Sequence, residues 1–381
     1  MGDKMELGVY IHIPFCIKKC DYCDFISYSD KYEMQNQYIN RLIDEIEENK
    51  DILQKNRITT IYIGGGTPSS INSKLIKKVL DKIFQIINEK NDDIEITIEV
   101  NPGACTYDDL LIYKQSGINR ISIGLQSTDD KILKCIGRIH KYQDFKDTYK
   151  NVVKAGFDNI NVDLMIGLPE QSIKEVKESL NEIVNINPVL KHISVYSLIL
   201  EEDCKLYNKV NSGNLQLPDE ETERNEYKYV KNFLELNGYK HYEISNFAKE
   251  GFESKHNVNC WNQKQYIGFG VAAHSYYDKK RYSNTIDFDK YLSCEFTKTR
   301  TIHEIQNIDD MMKEYMILGL RMLDGVSILK FKNKFGQNPI YVFRKELEKL
   351  VNEDLIIVDL DTIKLTNKGL DFANIVWEEF I

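Results

Sequence analysis

No uninterrupted apolar run in the 381 residues approaches the roughly 18 needed for a membrane-spanning helix, so no integral membrane segment is expected. The first ten residues, MGDKMELGVY, carry no apolar h-region and no cleavage site, and a secretory leader is not expected either. Positive charge is not in excess. Against 50 Lys and Arg stand 59 Asp and Glu, a net charge of −9, which gives no global electrostatic reason to approach nucleic acid and argues against an anionic membrane surface. Collagenous, coiled-coil and low-complexity patterns are missing too. What remains is 42% hydrophobic and 29% charged, the profile of a soluble globular protein long enough for two or three domains. Eight cysteines without a leader imply a reducing, cytoplasmic setting. Clustered thiols there bind metal or do redox work more often than they form disulfides.

Short β-branched runs recur at Gly8–Ile13, Thr60–Gly64, Ile94–Val100, Arg120–Leu125, Asn159–Ile166 and His192–Leu198. Between them lie polar stretches of helical periodicity such as Tyr32–Gln54, Ser73–Asn88 and Ile173–Asn185. Six strand–helix repeats predict parallel strands joined by crossover helices, a pattern that a doubly wound sheet and a partial barrel both satisfy. Polar groups at the strand ends favour the second: GGGTP at 64–68, Glu99, Gln126, Asp163 and GLP at 167–169 gather on one rim, as on the top face of a barrel. The expected fold is α/β, a partial (β/α)6 barrel over residues 1–205. A polar, loop-rich connection follows at 206–300, with helical periodicity at Glu220–Leu236 and a stretch rich in Asn, His and aromatics from Tyr239 to Tyr277. Residues 301–381 read as a smaller α+β unit: helix Ile305–Met322, short helices to Leu350, the strands LIIVD and TIKLT, then a terminal helix. That order is winged-helix-like, but 10 Lys and Arg against 14 Asp and Glu leave the unit at −4. A DNA-reading module presents a basic face, so no nucleic-acid partner is expected.

Directly after the first apolar run, YIHIPFCIKKCDYCDF places Cys16, Cys20 and Cys23 in a C-x3-C-x2-C spacing. Structural zinc takes four closed ligands, usually as two pairs, and the other five cysteines are scattered singly. A disulfide would leave one thiol over. Three thiolates on one loop suit three irons of a [4Fe–4S] cluster, with the fourth iron open to a ligand.

With GGGTP after the second strand, this spacing resembles the radical S-adenosylmethionine (SAM) superfamily, and YIHIPFC, YIGGGTPS, EVNP, ISIGLQS, GRIH, NVDLMIGLP and LTNKGLDFAN resemble its coproporphyrinogen III oxidase-like branch. The resemblance implies that SAM chelates the open iron and that Tyr10, Gly65, Gly66, Thr67 and Glu99 contact it, the bare glycines letting backbone approach the methionine amino group. It also implies that Gln126, Arg138 and Asp163 hold SAM, with a second molecule in the oxidase. The oxygen-independent oxidase carries a fourth cysteine where this chain has Phe25, and an N-terminal extension, whereas only fifteen residues precede Cys16. Both departures resemble the HemW family of heme chaperones. HNVNCW at 256–261 is similar to that family's H-N-x-x-Y-W motif, with Cys260 in the tyrosine's place. His256, or Cys260, is the implied heme ligand, with His274 a weaker candidate. The cofactors implied are a [4Fe–4S] cluster, SAM and heme; the partners are heme and heme-acceptor proteins, and a homodimer is compatible with the sequence. A coproporphyrinogen oxidase, another radical SAM tetrapyrrole enzyme and an iron–sulfur regulator of nucleic acid are the alternatives.

Overall fold

The computed structural model describes residues 4–87, 93–186 and 190–381; Asn88, the last residue of one predicted helix, lies outside them. All six predicted strands are present: β1 (Glu6–Ile13), β2 (Arg57–Gly65), β3 (Glu95–Val100), β4 (Arg120–Gln126), β5 (Asn159–Ile166) and β6 (His192–Ser197). They pair in chain order and in parallel, and crossover helices cover one face. The helix Ser73–Ile87 shows why. Its buried Ile76, Val79, Leu80, Ile83 and Ile86 recur every three or four residues and seal one stripe against the sheet.

Each strand alternates in a way that fixes the architecture. In β3 the outward residues Ile96, Ile98 and Val100 pack under helices, while Glu95, Thr97 and Glu99 face the other way. In β4 Ile121, Ile123 and Leu125 oppose Arg120, Ser122 and Gly124. In β5 Ile160, Val162 and Leu164 oppose Asn161 and Asp163. The apolar core therefore lies wholly between sheet and helices, and the concave side is a polar lumen.

Beyond residue 205 the structure departs from the loop-rich expectation. The helix Glu220–Leu236 forms where periodicity placed it, but six further strands follow: β7 (Lys240–Glu243), β8 (Asn246–Ala248), β9 (Tyr266–Phe269), β10 (His274–Tyr277), β11 (Lys280–Asn284) and β12 (Arg300–Ile305). They extend the barrel sheet at both ends to the order β12-β11-β10-β9-β1-β2-β3-β4-β5-β6-β8-β7. At three to six residues, built from Lys, His, Asn and Tyr, they carry too short and too polar an alternation to read as strands. HNVNCW is likewise not loop but most of a helix, Lys255–Trp261, capped by Ser254.

The C-terminal unit has its own core, including Met316, Phe331, Leu350, Ile363, Val376 and Phe380, and a three-stranded sheet of β13 (Val326–Ser327), β14 (Ile356–Val358) and β15 (Thr362–Leu365). Its first helix is Ile308–Gly319, shorter than predicted because Asn307 and Asp310 form a capping box there. The terminal helix is two, Asn367–Asp371 and Ala373–Glu378. The unit is tied to the large sheet by backbone bonds from Ile244 to Arg321 and from Leu323 to Tyr242. The Arg321 guanidinium lies over the rings of both Trp261 and Trp377, 4.3 and 5.0 Å from their centroids. Among the described residues no helix is long and apolar enough to cross a membrane.

Ile98, fully buried in β3, tests the core assignment. Ile98→Ala is expected to cost about 2–5 kcal/mol in urea unfolding, and Ile357→Ala, at a half-exposed site in β14, less than about 0.5 kcal/mol.

Candidate functional site

The loop after β1 is closed at its base. Tyr28 N–H donates to Pro14 O (2.7 Å) and Cys16 N–H to Tyr28 O (3.2 Å), so residues 16–27 project over the C-terminal rim of the sheet. Asp21 anchors the loop from within: its N–H donates to Ile136 O, its carbonyl accepts from Leu206 N–H, and its carboxylate accepts from Lys209 Nζ at 2.6 Å. Gly137, at φ +80°, packs so closely that a Cβ would fall 2.7 Å from the Asp21 carboxyl carbon.

The three glycines at the end of β2, Gly64 to Gly66, do more than leave room for a ligand. Gly66 N–H donates to Ile13 O and Thr67 N–H to Phe15 O. A Cβ on Gly66 would sit 2.7 Å from Phe15 O, and one on Gly64 2.9 Å from the Glu99 carboxylate. Backbone packing alone already requires glycine at 66, whereas a Cβ at 64 would have to displace the Glu99 carboxylate.

A chain of polar contacts joins two of the cysteines. Asn101 Nδ2 donates to Thr67 Oγ1 (3.0 Å), which leaves the Thr67 hydroxyl proton for Cys16 Sγ at 3.4 Å. Asn101 Oδ1 accepts from Arg138 Nη1 (3.2 Å), which also points at Cys20 Sγ (3.6 Å), while Arg138 Nη2 donates to Gly124 O (2.5 Å). Both sulfurs thus face donors, the polarity a thiolate ligand requires. Burial pushes the Cys23 thiol up to about 11, so a bound metal must displace its proton. All eight cysteines are free. Among the described residues no three His, Cys, Asp or Glu side chains converge as around one ion. A [4Fe–4S] cube instead takes one thiolate at each of three separate irons.

Below the rim, Glu99 accepts from Tyr62 OH (2.9 Å) and Gly65 N–H (3.2 Å). Burial, with the nearby Asp163 adding to it, raises its carboxyl to about 7. Asp163 is also raised by burial, against hydrogen bonds that include Asn161 Nδ2 at 2.7 Å. Asn161 in turn accepts from His192 Nδ1 (2.6 Å), so His192 Nε2 is the acceptor for Tyr242 OH (2.8 Å) and the ring is neutral. Arg120 and Arg138 both line the cavity, and the Nε of each is buried without a protein partner. With Gln126, Glu99 and Asp163 these two arginines give the lumen a polar, charged lining.

One cavity of about 380 Å3 brings together Cys16, Cys20, Cys23, Phe25, Gly65, Gly66, Thr67, Glu99, Gln126, Arg138 and Asp163. Four other sequence candidates, Tyr10, His256, Cys260 and His274, stand apart from it. Tyr10 is stacked behind Tyr62 at 6.4 Å and donates to His12 Nδ1, whose Nε2–H is taken by Ile26 O. His256 is buried at the opposite end of the barrel, its Nδ1 2.8 Å from Thr60 Oγ1 and its backbone N–H on Glu95. Burial holds the His256 ring neutral, down to about 4, and pushes Cys260 up to about 12. His274 lies on β10 stacked on His303 at 5.7 Å. Asn101, Tyr62, Arg120, Ser122, Asn161 and Tyr196 line or brace the lumen and were not singled out by sequence, although EITIEV, RISIGLQ and NINVDLMI carry their alternation openly.

Residues 10–183 match the Radical SAM superfamily and residues 308–372 the HemN C-terminal domain. The chain is 37% identical over 377 residues to the heme chaperone HemW of Bacillus subtilis (strain 168), covering 98% of this chain and 99% of that one. To the heme chaperone HemW of Escherichia coli (strain K12) it is 32% identical over 387 residues, with 98% of each covered. Among solved structures, coproporphyrinogen III oxidase (HemN) from Escherichia coli superposes with a TM-score of 0.84 at 20% identity, covering 99% of this chain and 90% of the other; at that identity it shares the fold.

Glu99 sets a pH signature. Its folded value of about 7 against an ordinary 4.5 means that the folded state holds a proton the unfolded chain has already released. The stability it adds is complete below pH 4.5 and is lost as pH rises through 7. Glu99→Gln is expected to shrink the fall in unfolding free energy between about pH 5 and about pH 8 by on the order of 2 kcal/mol, read from urea titrations of the metal-free protein.

Proposed function

Because the chain belongs to the HemW family of radical SAM proteins, we propose that it is a heme chaperone, carrying heme to acceptor proteins, with a [4Fe–4S] cluster held by Cys16, Cys20 and Cys23 and with SAM bound beside it. The observation that carries the reading is the full-length likeness to HemW, together with Phe25 where the oxidase has its fourth cysteine. The lumen fits the two cofactors that the superfamily implies. Three thiols on one closed loop match three irons, the Arg120 and Arg138 guanidiniums that line the lumen are donors suited to an anionic or hydroxyl partner, and Glu99 and Asp163 offer acceptors for amino and hydroxyl groups.

Cys16, Cys20 and Cys23 would hold the cluster, whose chemistry, when bound and reduced, would be one-electron donation to the sulfonium of SAM. The chain's own residues do the rest. Thr67 and Arg138 aim donors at the cysteine sulfurs, and Asn101 keeps those donors in register. Glu99 is fixed by Tyr62 and Gly65, and Asp163 by Asn161, so both acceptors are set before a ligand arrives. The neutral histidines His12, His192 and His256 add no charge to the lumen.

The deciding experiment is anaerobic incubation of the cluster-loaded protein with SAM, a reductant and coproporphyrinogen III, beside a hemin titration. Stoichiometric hemin uptake without protoporphyrinogen is expected; protoporphyrinogen formation would make the chain an oxidase. Cys20→Ser is expected to lower iron and sulfide from about four of each to near zero. Arg138→Met should retain iron but weaken SAM by about tenfold or more in equilibrium dialysis, the cost of one charge-assisted contact.

A further inference from the structure

Two large apolar side chains stand open at the mouth of the cysteine cavity, Phe25 at 64% and Ile199 at 73% exposure, and two more exposed ones, Ile17 at 59% and Ile139 at 61%, belong to the segments that line it. Phe25 and Ile199 line the mouth directly; Ile17 and Ile139 immediately follow Cys16 and Arg138, which also line it. An exposed apolar collar around a concavity marks a binding surface. Two cations, Lys18 and Lys19, line the same mouth against one acid, Asp24, in a chain whose overall charge is −9. At the other end of the barrel, the motif residue His256 is buried, with Nδ1 held by Thr60 and its backbone by Glu95. Its ring packs under Tyr62, 5.2 Å between centroids, and Tyr62 and Asn257 line the cavity, so His256 lies beneath the cavity floor rather than on its surface.

We propose that heme docks across this collar, at the mouth of the cluster cavity, with its faces on Phe25 and Ile199 and its propionates toward Lys18 and Lys19. The placement rests on the heme-chaperone reading. Heme is the occupant the chemistry selects: it is apolar over its faces and carries two carboxylates at one edge, which the lysine pair complements. Held in this way, cargo is gripped by surface and charge rather than through an iron ligand, and it covers the site beneath it.

Two measurements on the cluster-loaded protein test the placement. Metal-free protoporphyrin IX is expected to bind within about threefold of hemin, because the grip does not use iron. The double substitution Phe25→Ser with Ile199→Ser, its iron content checked, is expected to weaken both ligands about tenfold or more, whereas His256→Gln leaves both within about twofold. Hemin binding that is lost in His256→Gln, or absent for the metal-free porphyrin, overturns the proposal. Equal hemin affinity in the collar variant also overturns it and leaves the collar as a surface for the acceptor protein. No hemin uptake by the unaltered chain overturns the chaperone reading and the placement together.

Discussion

Everything in this molecule follows from which way alternate residues of a parallel strand point. In β1 to β6 the apolar set faces the helices and the polar set faces a lumen. The sheet is therefore stable on one side and unfinished on the other. Closure of the barrel would bury Arg120, Asn161, Asp163 and Glu99 against one another. The sheet instead runs on through β9–β12 at one end and β8–β7 at the other, and the lumen stays open at the rim where the cysteine loop sits. The buried polar groups of the wall satisfy one another, as in the Asn161–His192–Tyr242 chain, while Arg120, Arg138, Glu99 and Asp163 line the open cavity. A ligand completes what folding leaves open.

The glycine run illustrates how one sequence feature serves two demands. Gly66 has no space for a Cβ because backbone atoms already fill it, and one on Gly64 would have to displace the Glu99 carboxylate. The close approach of β2 to the cysteine loop is thus a packing requirement before it is a binding one. The same closeness puts Thr67 within reach of Cys16, and its hydroxyl oxygen accepts from Asn101, so hydrogen bonds join the loop, the end of the second strand and the residue after the third around the thiols.

Much of this was legible in advance, for physical reasons. The six barrel strands are long, β-branched and flanked by helical periods, and each forms where it was expected. The strand-end polar residues converge because parallel strands share a C-terminal rim. The lumen walls were not read, because polar alternation in RISIGLQ or HISVYS normally signals solvent rather than an interior. The flanking strands were missed because three to six residues of His, Asn, Tyr and Lys show no periodicity that outweighs a loop. His256 sits where tertiary contacts with Thr60 and Glu95 decide its environment, and no local spacing records those contacts.

The junction between the sheet and the C-terminal unit has an optical consequence. The chain contains two tryptophans, and both lie against Arg321 at that junction, Trp261 from the HNVNCW helix and Trp377 from the last helix. A guanidinium between two indoles is sensitive to small separations. Intrinsic fluorescence of this protein is therefore an internal gauge of a single seam, free of background from other tryptophans. Any change in emission when a cofactor, cargo or acceptor is added reports whether events at the cavity are felt where the two units meet.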